Sequence, residues 1–563
     1  MAWIRAQLVD DTGASSRGTH SARRPLRRAL GVPLAALLVV SACGSATPSG
    51  PPAPGASSGP TSEATAEPSA SSEPSASPKA GGTIVWAVAG EATSLDPTYA
   101  QIELNWELIR RVYETLITIA DDGSFAPLLA TSWEQPTDTS YVFHIRQGVK
   151  FSNGREMTAD DVAASLTRAT DPKQGTDLYS DIDKVVKVDP STIRIDLKRP
   201  SGVLLTALAQ SYASILPSVE LAAGTYDPTK DMLGTGPFIV KDHKQDESWT
   251  LARNPYYWRE GRPYADEVKV QILTDPSARV AALKGGTADI SLFEDPDTQS
   301  LFAGDPNVVV VPQQTTNWYY LQFNGVSPLE PKLKDARVRQ ALAMALNRQQ
   351  IVSLAAGGLG EPLVGAPTLS KLADACDTSQ LNPENPDQAK SILQTAGALP
   401  LTLTMDTTSI YPVMASMNQV IQQQWSAVGV TLDIKQVDVG VWVDDNFVKG
   451  NADAVISFNT ALTDNWFAVG SSTLGGTPWK SALLPATPSL DAQLVQTRGM
   501  APGPDRAAIF QDMCKEIANE AFDIPLATRT TFVAYRKDRI APVIQGFEPI
   551  NDYLRNFGDF AVQ

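Results

Sequence analysis

The chain predicts an α/β protein of two lobes. Two strand–helix–strand modules, at residues 266–293 and 401–438, lie far apart in the sequence, and each calls for a parallel sheet with helices on its faces. The stretch from residue 83 to 563 exceeds the ~250–300 residues at which a single core stops growing. Apolar alternation at the period of a strand begins at residue 83, after a long tract with almost nothing to bury.

Taken in order, the chain opens with six Arg and then the uncharged run 29–42. That run is shorter than the ~20 residues that cross a bilayer, and it suits the apolar segment of an export signal, so 1–42 reads as a removed leader. Val40-Ser41-Ala42-Cys43 resembles a bacterial lipobox. The resemblance implies a lipid on Cys43 and an extracytoplasmic protein anchored to the bacterial cell membrane. At ~0.8 kcal/mol per buried CH₂, two or more acyl chains give a durable anchor. Residues 44–82, dominated by Ser, Pro, Ala, Gly, Thr and Glu, offer no burial to offset chain entropy and read as a disordered tether. Gly55-Ala56-Ser57-Ser58-Gly59 within it matches the G-x-S-x-G pattern of hydrolases but lacks the strand and helix that motif needs.

Strands are expected at 83–90 and 141–151. Between them, 105–117 reads as a helix with Trp106, Ile109, Val112, Tyr113 and Leu116 on one face. Thr158 with Asp161 forms a capping-box pattern at the start of the next helix. Asn153-Gly154 suits a type I′ hairpin turn. Residues 234–255 read as a hairpin, entered through Gly234 and Gly236, which permit positive φ and would suit a hinge. The two modules follow, the second carrying Val413, Met417, Val420, Ile421, Trp425 and Val428 on one helical face and ending at Gly429. Asp335 caps a helix whose Val338, Leu342, Ala345 and Leu346 face a core.

Removing the leader, with its six Arg and two Asp, moves the net charge from −16 to −20. So acidic a chain argues against nucleic acid or an anionic membrane surface as partner. Beyond the leader the only histidines are His144 and His243, without the spaced partners that zinc or a catalytic triad requires, so neither a metal, a cofactor nor catalysis is expected. Cys376 and Cys514 remain after Cys43, and the sequence alone does not decide whether they pair. Two lobes without catalytic residues suit a cleft that binds a small ligand.

Five stretches resemble the extracellular solute-binding proteins of ATP-driven importers of the peptide and nickel type. These are "GGTIVWAVAGEATSLDP", "VYETLITIADDGSFAPLLATSWE", "FHIRQGVKFSNGREMTADDVAASL", "GTGPFIV" with "LARNPYYW", and "DARVRQALAMALNRQQIV", in the family's order. The resemblance implies a class II periplasmic-binding-protein fold, two lobes with a hinge and an extra small domain. Domain I would comprise 83–112, 231–312 and 526–563, domain II 113–230 and domain III 313–525. It implies a monomer that captures a solute and hands it to permease subunits. Peptide is the leading solute, with an oligosaccharide, a nickel chelate or another cationic solute as alternatives; a secreted glycan hydrolase is a remote rival. Ligand contacts are expected at Tyr99 and Asn105 in the loop after the first strand, and at Trp318, Tyr320, Trp442 and Trp466 as aromatic surfaces. In "ISFNTALTDNWF", Asn459 stands near the position where peptide-binding relatives place an aspartate that pairs with the peptide's α-ammonium, and Asp464 follows five residues later. A neutral amide holds an ammonium less well than a carboxylate does. Either Asp464 takes that role or the ligand is not a free peptide.

Overall fold

The computed structural model describes residues 80–563 except 93, 100–102, 172–177, 410, 461, 473–481, 545–546 and 549–553. The expected leader, Cys43 and nearly all of the tether lie outside these residues.

The first alternating segment is β1 (Thr83–Val88), which sends Ile84 and Trp86 into a core shared with helix α1 (Glu103–Val112). The helix stops at Val112, short of the expected 117, because Gly236 and Ile215 donate their amides to the carbonyls of Val112 and Glu114. Tyr113 and Leu116 are nonetheless buried. A short hairpin, β2 (Ile117–Ile119) and β3 (Phe125–Pro127), comes next. β4 (Ala130–Thr137), β5 (Ser140–Ile145), β6 (Ile182–Asp189) and β7 (Thr192–Leu197) then build an antiparallel sheet in the order β4-β5-β7-β6. Helix α2 (Ala159–Ala169) packs on this sheet and opens with the expected Thr158–Asp161 capping box.

β8 (Phe238–Lys244) and β9 (Ser248–Arg253) form the expected hairpin. β10 (Glu267–Ile272), α3 (Pro276–Gly285) and β11 (Ile290–Phe293) are the first strand–helix–strand module, with β1 between the two strands and parallel to both. After β12 (Val308–Phe323) and α4 (Ala336–Met344), the second module is β13 (Leu401–Thr407), α5 (Pro412–Ala427) and β14 (Val430–Gln436). β13 lies parallel to β14 on one side and to β15 (Ala454–Thr460) on the other. The chain then runs through α6 (Asn465–Gly470), α7 (Pro488–Arg498) and α8 (Pro504–Glu520) into β16 (Asp523–Arg536).

All but the small sheets join one sheet, whose main path is β14-β13-β15-β12-β16-β11-β1-β10-β9-β8. Its two halves, each built on one parallel module, meet through β12 and β16 among the described strands. The first part of β12 lies beside the end of β16, itself paired to β11; the last part of β12 lies between β15 and the start of β16. Between these parts the register breaks, with Gln314 opposite Thr530 and Trp318 opposite Thr528, so β12 carries a bulge at residues 315–317. The four-stranded sheet shares its core with the second half: Phe143, Leu208 and Tyr212 belong to one cluster with Trp466, Leu494 and Phe510. Cys376 and Cys514 form a disulfide that ties the 361–385 loop to α8.

Two expectations about glycines are corrected. Gly234 and Gly236 do not have positive φ. They are needed for space, since a Cβ would stand 2.0 Å and 2.7 Å from the Val112 carbonyl oxygen. The turn at Asn153-Gly154 is not type I′, because Asn153 keeps negative φ and only Gly154, at 88°, is left-handed. Phe151 accepts from Gly154 and donates to Arg155, which makes a three-residue hairpin loop. The Asn153 side chain is turned to Glu220 instead.

One buried carboxylate joins two of the resemblance stretches. Glu114, from "VYETL", accepts from Thr235 Oγ1 of "GTGPF" at 2.8 Å, and from Trp258 Nε1 and Tyr257 OH of "NPYYW" at 2.9 and 3.2 Å. Burial pushes its pKa up to about 7 against the pull of these donors. Glu114→Ala removes the acceptor of buried Thr235 and of half-buried Trp258 and Tyr257, at ~1–3 kcal/mol for a fully buried donor left unpaired. The expected outcome is a loss of at least about 3 kcal/mol in urea unfolding.

Candidate functional site

In parallel sheets ligands gather beyond the carboxyl ends of the strands. Here both halves aim those ends at the strand crossing: β11 ends at Phe293 beside Phe532, and β15 ends at Thr460 beside Asn317. The segments after β11 and β15 therefore meet at the crossing, where Glu294 pairs with Arg529 and Thr460 meets Thr316.

This junction is polar and buried. Gln313, Thr315, Thr316, Asn317, Arg529 and Thr531 are each at most 5 % exposed. Some of their bonds fix the bulge: Thr315 Oγ1 donates to the Arg529 carbonyl, the Asn317 amide donates to Thr315 Oγ1, and the Thr316 and Thr460 hydroxyls meet at 3.3 Å. Gln313 Oε1, Asn317 Oδ1, Trp318 Nε1 and Thr531 Oγ1 have no hydrogen-bond partner among the described residues. Buried polar atoms are nearly always partnered, so each of these four is a position that a polar guest or water would satisfy. Arg529 straddles the halves, paired with Glu294 after β11 at 2.5 Å and stacked on Phe458 of β15 at 4.3 Å. Beside it a small crevice of about 10 Å³ is lined by Glu294, Pro296, Tyr319, Val413, Thr530 and Phe532.

The expected ligand residues fall into four places. Trp318, Tyr320 and Asn459 are neighbours on β12 and β15, with Trp318 opposite Asn459. Trp318 is fully buried against Leu363, Leu369 and Ala468, and Asn459 uses its Oδ1 to accept from the Thr460 amide. Burial pushes the Tyr320 phenol upward, with Asp523 adding to the shift. Asp464 and Trp466 follow β15. Asp464 caps α6 by accepting from the Trp466 amide at 2.8 Å, and both its oxygens accept from Arg506 at 2.9 Å. Trp466 is buried, donates to the Leu494 carbonyl at 3.0 Å and lies under Arg498. Tyr99 and Asn105 stand on the first half. Tyr99 is half-buried, donates to Asp171 at 3.1 Å and has Arg168, itself paired with Asp96, over its ring. Burial pushes the Tyr99 phenol up, with Asp171 adding and Arg168 opposing. Asn105 is buried and accepts from the Ser94 amide at 3.4 Å. Trp442 is apart from the rest, buried in the second half against Tyr411 and Phe447.

Gln313, Asn317, Thr460, Arg529 and Thr531 were not anticipated from sequence. A signal existed for part of this set: "QQTTN" is a polar run within a strand otherwise rich in Val, Tyr and Leu, which a half-buried strand does not explain. Nothing in the sequence marks Arg529 or Thr531, which become site residues only because β16 crosses beside β12.

Asp523 begins β16 beneath α6, in register with Gln322, and accepts from Ser472 Oγ at 2.9 Å. Burial pushes its pKa from 3.8 to about 7. The folded chain thus holds this proton more tightly than the unfolded chain, and the contribution to stability falls as pH rises from about 3.8 to about 7. Asp523→Asn is expected to raise the unfolding midpoint at about pH 8 and leave it unchanged near pH 4; a chemical-denaturation series against pH reads the difference.

Comparison with known proteins follows the same lines. A family model of bacterial extracellular solute-binding proteins, family 5, matches residues 124–479. Di/tripeptide-binding protein 2 of Pseudomonas aeruginosa (strain UCBPP-PA14) is 31% identical over 364 residues, covering 59% of this chain and 67% of that protein. Heme-binding protein A of Haemophilus influenzae is 28% identical over 480 residues, covering 78% and 84%. Among solved structures, MoaA of A. tumefaciens R10, in complex with mannopinic acid, is 26% identical with a TM-score of 0.72, covering 84% of this chain and 98% of that one. The substrate-binding protein CtaP of Listeria monocytogenes shares the fold at 22% identity, with a TM-score of 0.76 over 86% and 100% of the two chains. With its two-lobed α/β architecture, its family match over more than half its length and a polar junction between the halves, this chain belongs to the bacterial extracellular solute-binding proteins of family 5.

Proposed function

We propose that the protein captures a small polar solute between its two halves and presents it to the permease of an ATP-driven importer, working as a monomer tethered outside the cell by a lipid on Cys43. The observation that carries this reading is the group of buried polar atoms at the crossing, Gln313 Oε1, Asn317 Oδ1, Trp318 Nε1 and Thr531 Oγ1, which have no partner among the described residues. A solute with its own donors and acceptors satisfies such atoms, and the gain is realised only when both halves close on it. Micromolar binding corresponds to about 8 kcal/mol, enough to bias closure with part of it. No covalent step is required.

Relatives named for di- and tripeptides, heme and mannopinic acid share this scaffold, so the solute is set by side chains at the junction. Peptide is the leading class, by likeness to the di/tripeptide-binding relative. Division into domain I (83–112, 231–312, 526–563), domain II (113–230) and domain III (313–525) suits this reading, since it places β12 and β16 at the boundary between I and III.

Two outcomes are expected. Native mass spectrometry of the chain from residue 83 should show a fraction carrying a small-molecule mass, and Asn317→Leu should lower that fraction at least tenfold without unfolding the protein; equal occupancy in both proteins would remove the crossing from the site. Growth with a radiolabelled fatty acid should label the wild type and not Cys43→Ser, which should instead appear in the medium. Label retained on the variant would dismiss the anchor.

A further inference from the structure

Asp464 stands in the turn that follows β15, one residue before α6, and its surroundings give it a task other than meeting a solute's charge. Both carboxylate oxygens accept from Arg506, at 2.9 Å each, and one also accepts from the Trp466 amide. Arg506 is fully buried and donates its Nε to Asp374 Oδ2 at 2.7 Å. Asp374 uses its other oxygen to accept from the Gly503 amide at 2.9 Å. The result is a buried Asp–Arg–Asp triad whose surplus negative charge is spread over two backbone N–H groups, the kind of pairing a buried charge requires.

The loop that supplies Asp374 is fastened at both ends of this triad. On the turn side, Asn465 accepts from the Leu369 amide at 2.9 Å and donates to the carbonyls of Leu369 and Ala373 at 3.1 Å. On the helix side, Cys376 is disulfide-bonded to Cys514 of α8, and Gln511 of α8 accepts from the Asp377 amide at 2.8 Å. The turn, the loop and α8 therefore form one cross-braced unit. Its free end, Thr460 and Leu462, reaches the crossing, where Thr460 Oγ1 meets Thr316 and accepts from the Leu462 amide. On the other side Thr463 meets Thr206, which precedes the 3₁₀ turn at 211–213, at 2.5 Å.

We propose that Asp464 and Arg506 are positioning residues that hold the turn at residues 460–464 against the crossing, and that the Cys376–Cys514 disulfide anchors the far side of this brace. An arriving ammonium finds both Asp464 oxygens engaged, so Asp464 acts on the site through Arg506 and the shape of the turn. That the turn faces a solute rests on the function proposed above; the brace itself rests on the contacts just described.

The test is hydrogen–deuterium exchange on the full chain, which needs no bound solute, so its outcome is independent of whether solute capture is correct. Asp464→Asn keeps the cap oxygen and removes the charge that holds Arg506; exchange in peptides covering 459–470 is expected to rise about tenfold, while β5 and β7 exchange as in the wild type. Reducing the disulfide of the wild-type chain with a phosphine should raise exchange in the same peptides by a smaller factor, and this arm stands even if Asp464→Asn fails to fold. Unchanged exchange at 459–470, or a rise shared equally by β5 and β7, would overturn the proposal.

Discussion

Everything in this architecture depends on two strands. Among the described strands, β12 and β16 run through both halves of the large sheet, so they join the two halves within it. A continuous antiparallel pair would be stiff. This one is interrupted where residues 315–317 bulge out of register, and the interruption falls where the carboxyl ends of both parallel modules converge. The bulge falls within a run of buried polar residues, Gln313, Thr315, Thr316 and Asn317. The register break and the buried polar residues thus fall at the same few positions. Arg529 completes it by engaging Glu294 of one half and Phe458 of the other from the crossing itself.

The stretches that resemble the family serve packing more than binding. Glu114, Thr235, Tyr257 and Trp258 meet in one hydrogen-bonded knot although they come from separate segments of the chain. In "NGREMTADDV", Arg155 pairs with Asp161 and with Glu220, while Asp161 also closes the capping box and accepts from Ser218. In "DARVRQALAMALNR", Arg339 is buried and donates to the carbonyls of Leu333 and Glu520, and Arg348 donates to those of Ala343 and Leu346. Such buried charges tolerate few substitutes, because a lost partner leaves a charge or donor unpaired in the interior.

Local structure was therefore readable and long-range geometry was not. Both strand–helix–strand modules, the hairpin of β8 and β9, and the caps at Thr158 and Asp335 follow from periodicity and end chemistry, which are properties of neighbouring residues. The end of α1 at Val112 was hidden, because it is set by amides of Ile215 and Gly236, far along the chain. The same crossing explains Gly234 and Gly236, whose missing Cβ matters for the backbone of Val112 and not for their own φ. At the site, the sequence pointed to aromatic residues and to Asp464, since these types bind solutes elsewhere. It could not reveal that Arg506, Asp374 and a disulfide already surround Asp464, nor that β16 brings Arg529 and Thr531 beside Gln313.

If the bulged crossing works as a hinge, separation between the halves is the quantity that reports on it most directly. Spin labels at Leu301 and Val441, exposed positions on opposite halves, would give that separation by pulsed electron resonance. The account predicts a broad or two-peaked distance distribution in chains unfolded and refolded to strip any co-purified solute, and a narrower, shorter one in chains as isolated. One narrow distance, identical in both preparations, would contradict it.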